Sequence, residues 1–120
     1  MYYDDAARKA EEYGFQIERT ERRHGNRLFV FYLTNDDDNY LAADVRIQET
    51  SEGFLVQKYF FGGIFLDEEK KKVYVDAEDN PEESNESSEK DAYEKALQYM
   101  KEVDEIRNHA RMGLLGKVLA

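Results

Sequence analysis

Residues 28–33 read Leu-Phe-Val-Phe-Tyr-Leu, the longest apolar run in the chain that no polar residue or glycine interrupts. A strand sends alternate side chains to opposite faces, so six apolar residues in succession predict a strand covered on both faces at the centre of a sheet. The segments beside it alternate more cleanly and read as its neighbours, while both ends of the chain have helical spacing. The pattern predicts an α+β domain: an antiparallel sheet of four to six strands, with a short N-terminal helix and a long C-terminal helix packed on one face.

Working outward toward the N-terminus, Tyr3, Ala6, Ala7, Ala10 and Tyr13 recur at three- and four-residue spacings, the signature of one helical face. Asp4 and Asp5 suit the positive end of that helix and Gly14 its stop. Phe15–Arg23 then begins an alternation, and His24-Gly25-Asn26 supplies residues suited to a hairpin turn into the central strand. Arg19, Arg22, Arg23 and Arg27 crowd the tip, where Glu18 and Glu21 are at hand to pair with them.

Toward the C-terminus, Leu41, Ala43, Val45 and Ile47 form one side of a half-buried strand. In 54–61 Phe54, Val56, Lys58 and Phe60 oppose Leu55, Gln57, Tyr59 and Phe61, so both sides carry large groups. Gly62-Gly63 reads as a bend or bulge, and a short hairpin joins Ile64–Leu66 to Val73–Val75 through the Asp67–Lys72 connection. Ser88 is placed to cap a helix whose apolar stripe comprises Ala92, Tyr93, Ala96, Leu97, Met100, Val103, Ile106 and Ala110, with Gly113 ending it. The 120 residues thus form a single domain, with an acidic flexible loop at about 76–90, where alanine is the only apolar residue, and an apolar C-terminal tail at 113–120.

The formal net charge is −10, and it is unevenly spread: residues 62–91 hold eleven acids against four bases, whereas residues 1–34 balance at six of each. Such a chain is repelled by nucleic acid and anionic membranes and attracted to basic surfaces. There is no cysteine, which removes disulfides, thiolate metal sites and thiol nucleophiles. No apolar segment approaches the roughly 20 residues of a membrane span, and the Met-Tyr-Tyr-Asp-Asp start lacks the parts of a signal peptide. The expectation is a soluble, cytoplasmic protein.

The motif search excludes more than it proposes. Asn35–Asn39 carries three adjacent carboxylates, but counting from Asp36 the sixth and twelfth positions of a calcium loop fall on Leu41 and Ile47 instead of glycine and glutamate. The two histidines, His24 and His109, have no ligand or catalytic partner near them in sequence, and no Gly-x-Ser-x-Gly elbow or phosphate loop occurs. No metal or cofactor is implied, and the reading is non-enzymatic.

Two function classes follow. The first is a small acidic binding protein that inhibits or occludes a protein partner with a basic, nucleic-acid-binding surface, presenting carboxylates where phosphates would sit. In size and charge alone it is similar to inhibitors and immunity proteins of nucleases and to phage-encoded anti-defence proteins. Its candidate contacts are Asp36, Asp37, Asp38, Asp44, Glu78, Asp79, Glu82 and Glu83. The second class is a homo-oligomeric structural or scaffold module associating through Tyr59, Phe60 and Phe61 and through Leu114, Leu115 and Leu119 of the tail.

Overall fold

A computed structural model of the chain describes residues 2–23, 26–35, 40–114 and 117–118. Helix α1 (Tyr2–Glu12) leads into a hairpin of β1 (Phe15–Arg23) and β2 (Asn26–Leu33). Then come β3 (Ala42–Thr50), β4 (Gly53–Leu66), β5 (Lys72–Val75), β6 (Glu82–Glu86), helix α2 (Glu89–Arg111) and the two-residue β7 (Lys117–Val118). All pairings are antiparallel, in the order β1-β2-β3-β4-β5-β7, with β6 beside the first half of β4. The α+β architecture expected from the sequence, with a short first helix and a long second one on the sheet, is the one observed.

Pleating and register decide what lies under the helices. Phe29 is opposite Ile47, which is opposite Val56; Phe31 is opposite Val45, which is opposite Lys58. Side chains that face one another across strands share a face, so these rows line one side of the sheet. That inner face is the core: Phe15, Phe31, Val45, Ile47 and Val56 are all but fully buried. Helix α2 lies across it, its Tyr93 ring edge-on to Phe31 at 6.5 Å and tilted against Phe29 at 5.9 Å. Most of the stripe read from the sequence is buried, with Tyr99 added to it, while Leu97 and Ile106 are partly buried against the core. Ala6 and Ala10 let α1 lie close to its neighbours, and the Tyr13 carbonyl beyond its end accepts a 2.9 Å hydrogen bond from Arg107 of α2.

Both termini of α2 obey local chemistry. The Ser88 hydroxyl accepts from the Asp91 N–H at 3.2 Å, as an N-cap should. At the other end the N–H groups of Met112, Gly113 and Leu114 return to the carbonyls of Asn108, Ala110 and His109. Beyond Gly113, Lys117 and Val118 pair with Tyr74 and Val73, so this part of the tail adds to the sheet's own edge.

Two expectations need correction. The Leu28–Leu33 run does not mark a strand covered on both faces. Phe29, Phe31 and Leu33 turn inward, but Leu28, Val30 and Tyr32 turn outward, where no described helix lies, and remain half-buried by lateral neighbours. Register places Leu28 in one row with Gln48 and Leu55, and Tyr32 in one row with Asp44 and Tyr59. Neighbouring rows thus shield the outer residues where a second layer was expected. The second correction concerns 76–90: within the expected loop, Glu82–Glu86 forms strand β6, in register with Phe54–Lys58 of β4. Its composition offers almost nothing to bury, so its anchorage comes from charge.

The bend or bulge expected at Gly62-Gly63 is a bulge inside one 14-residue strand. Ala43 pairs with Phe60 but Ala42 with Gly62, so β4 carries one residue more than β3 at this point. The inserted residue shifts the alternation: Phe60 is inward before the bulge, and Phe65 is inward after it. Gly62 and Gly63 have φ of 67° and 141°, and a Cβ on Gly63 would collide with the Tyr40 carbonyl oxygen while one on Gly62 would collide with that of Val75. Gly63→Ala is therefore expected to destabilise the fold by about 3 kcal/mol or more, combining backbone strain with overpacking, read as a loss in the urea midpoint; a change within 0.5 kcal/mol would be that of an ordinary surface site.

Candidate functional site

On the inner face of β4, the sequence places a lysine where its neighbours at two-residue spacing are Phe54, Val56 and Phe60. Lys58 is consequently drawn under α2 and is 4% exposed, the one charged side chain among the described residues that is buried to this degree. A buried ammonium is costly unless charge and hydrogen bonds replace its water. Three carboxylates do so: Glu78 at 3.2 Å, Glu82 at 3.3 Å and Glu102 at 3.3 Å. They come from the β5–β6 connection, from β6 and from α2, so one cation ties three separate elements to β4. The Tyr99 ring centroid lies 5.9 Å from the same nitrogen.

The balance of forces is visible in the proton affinity of Lys58. Burial works to lower it, but the hydrogen bond and charge of Glu78, with Glu102 and Glu82, overcome that effect and hold the ammonium above the ordinary lysine range. Burial likewise raises the Tyr99 and Tyr93 phenols, and for Tyr93 the nearby charge of Glu89 adds to it.

Around this pin the acidic segment is ordered by its register. The Glu78 N–H donates to the Phe60 carbonyl at 2.9 Å, and Glu82 stands opposite Lys58. Glu83, opposite Gln57, accepts a 2.7 Å bond from its amide. Asp76 and Asp79 are exposed along the same edge, and the Glu83 and Asn85 side chains are exposed beyond it. The result is a strand at the margin of the sheet whose carboxylates occupy set positions.

The eight acids named from the sequence do not form one surface. Glu78, Asp79, Glu82 and Glu83 come together here, although Glu78 and Glu82 direct a carboxylate oxygen at Lys58. Asp44 is elsewhere, half-buried on the outer face and paired with Arg46 at 3.1 Å. Asp36, Asp37 and Asp38 lie outside the described residues. Lys58 and Glu102 were not in the expected set; the lysine interrupting an apolar alternation was the signal for the first, whereas Glu102 becomes a partner only when α2 is docked.

The aromatic set divides as well. Phe60 is in the core, 4% exposed, because inward alternation puts it under the helices, and it is not available to a partner. Tyr59 and Phe61 face outward, stacked with ring centroids 6.2 Å apart, and Arg46 covers the Tyr59 ring at 4.8 Å. Leu114 is exposed, while Leu115 and Leu119 lie outside the described residues.

No family model, curated protein or solved structure matches this chain. The functional reading therefore rests on the geometry alone. Among the described residues no group of histidine, cysteine, aspartate or glutamate side chains is arranged to hold a metal ion, and no helix is long and apolar enough to cross a membrane.

Two predictions follow from the pin and its neighbours. Lys58→Met leaves three carboxylates facing one another, so the amides of 82–86 are expected to exchange with solvent about tenfold faster or more, while those of the α2 core change less; uniform exchange across both elements would show that Lys58 does not hold β6. Lys58, Tyr93 and Tyr99 all bind their protons more tightly in the folded state. The stability they contribute is fully present below about pH 10 and is lost as pH rises through their folded-state values. Melting followed by circular dichroism should show this alkaline decline. It should be shallower for Tyr93→Phe, which also removes a buried hydroxyl with no partner among the described residues.

Proposed function

We propose that this protein is a small acidic, non-enzymatic binding protein that occludes the basic, nucleic-acid-binding surface of a protein partner. The observation that supports this reading is the anchorage of the acidic edge. An acidic loop would have to give up conformational freedom on binding, whereas carboxylates carried by a registered strand have already lost it. Glu83 on β6 and Asp76 and Asp79 in the connection that leads into it are exposed carboxylates of this edge, and Glu78 and Glu82 reach the solvent beside the lysine they hold.

Direct binding to nucleic acid is disfavoured by the net charge of −10. A basic partner is favoured by the same charge, and its association should be fast and sensitive to salt. On this reading the protein competes with nucleic acid for one site on the partner, acts where such a partner is found in the cytoplasm, and needs no cofactor.

The test uses the full chain, tagged, to capture proteins from a host lysate at low and high salt, with duplex DNA added as competitor. The expected result is a basic partner released by salt and by DNA, whose affinity falls about tenfold or more for the Asp76→Asn, Asp79→Asn, Glu83→Gln triple variant, a loss of several charge contacts. These side chains are exposed and do not pair with Lys58, so the melting temperature should hardly change. Replacing Asp36, Asp37 and Asp38 by asparagine tests the second acidic run in the same assay. Capture that is indifferent to salt, DNA and the triple variant would overturn the proposal.

A further inference from the structure

Strand β6 pairs with β4 alone, and among the described residues no strand lies along its other edge. Two observations fix which of its peptide groups point there. The Phe60 carbonyl of β4 accepts from the Glu78 N–H on the β6 side, and a Cβ on Gly53 would meet the Glu86 carbonyl oxygen, so that oxygen is turned toward β4. Residues of an antiparallel pair alternate between those that exchange hydrogen bonds with the partner strand and those that do not. Phe54, Val56 and Lys58 therefore share the phase of Phe60, and Glu82 and Ser84, their partners in register, share that of Glu86. The N–H and C=O groups of Glu83 and Asn85 are left facing outward, a template on which a further strand can pair. Pro81, which has no N–H to offer, stands in the same outward phase, where an edge tolerates it.

Charge selects what can pair. Charged side chains guard an edge strand against stray pairing, and here the guard has one sign: Glu82, Glu83 and Glu86 on the strand, with Asp76 and Asp79 exposed in the connection before it. Like charges set opposite one another across strands are destabilising and opposite charges stabilising, so this edge rejects acidic strands and admits a basic one. At its far end a hollow of about 230 Å³ is lined by Glu52, Phe54, Asn85 and Glu86. The Ser84 hydroxyl donates to one Glu86 oxygen at 2.6 Å and fixes that carboxylate. Two acids beside an apolar residue suit a lysine or arginine, whose aliphatic stem and charged head need different surroundings.

We propose that the free edge of β6 takes an extended, lysine- or arginine-bearing segment of the protein partner as an added strand, paired with the main chain of Glu83 and Asn85 and with one basic side chain in the hollow beside Glu52 and Glu86. The inference rests on the acidic edge being the partner-binding site, and adds the form in which the partner is held. Main-chain pairing supplies affinity and the alternate side chains supply selection. A basic segment held in this way is no longer free to lie along a nucleic acid.

The probe is a capped peptide of alternating lysine and threonine, about eight residues long, titrated into the full chain up to about 1 mM, the range a single short strand is expected to need. The amide resonances of Glu83 and Asn85 should shift, and nuclear Overhauser contacts should join their backbone protons to those of the peptide. The same peptide with every amide N-methylated keeps its charge and loses its donors; it should bind about tenfold more weakly or worse, a comparison that needs no change to the protein. A Glu52→Gln, Glu86→Gln double variant should bind the unmethylated peptide about fivefold more weakly. No binding, contacts elsewhere on the protein, or equal affinity for the methylated peptide or for this variant would overturn the inference. Such a result alongside capture of a basic partner released by salt and DNA would leave the proposed function standing, whereas peptide pairing at this edge with no such partner in the lysate would do the reverse.

Discussion

The ammonium of Lys58 lies between the sheet and α2, and the acidic edge of the molecule is arranged around that single charge. Strand β6, Glu-Glu-Ser-Asn-Glu, has no apolar side chain with which to join a core. Its ladder with β4 replaces hydrogen bonds that water would otherwise make, a modest net gain. What distinguishes β4 as a partner is the buried cation opposite Glu82, shared with Glu78 and Glu102 at 3.2–3.3 Å. The attraction is mutual in its effects: the carboxylates make burial of the lysine tolerable, and the lysine gives an acid-rich segment one defined place.

Much of the architecture is legible in the order of residues. Apolar alternation marks the strands, three- and four-residue spacing marks both helices, and Ser88 and Gly113 punctuate α2 as their chemistry requires. Strand β6 is not legible, because its stability is nonlocal: composition reports what a segment can bury, not which cation awaits it on another strand. The outer face misleads for a related reason. A run of six apolar residues records that both sides of β2 avoid full exposure, but flanking strands can provide part of that shelter without a second helical layer. For the candidate acids, sequence shows where charge is dense and is silent on which carboxylates are turned inward. Glu78 and Asp79 are neighbours in the chain, yet one binds Lys58 and the other faces solvent.

Three surfaces with different physics result. The inner face is dry and packed, the β6 margin is charged and held in register, and the outer face combines aromatic groups with one neutralised ion pair. Their separation means that a partner bound at the margin would draw on residues that neither the core nor the outer face uses.

The bulge in β4 divides this strand into two phases. Up to Phe60, even-numbered residues point to the helices; beyond Gly62, odd-numbered residues do. Straightening the strand at its full length would impose a uniform phase and carry Ile64 and Leu66 inward while turning Phe65 outward. Strand β5, in register with this half of β4, would then have its Val73 and Val75 set against a mismatched partner. The surplus residue and the two glycines that absorb it therefore act together: without the bulge the same length of chain would put Phe60 and Phe65 on opposite faces.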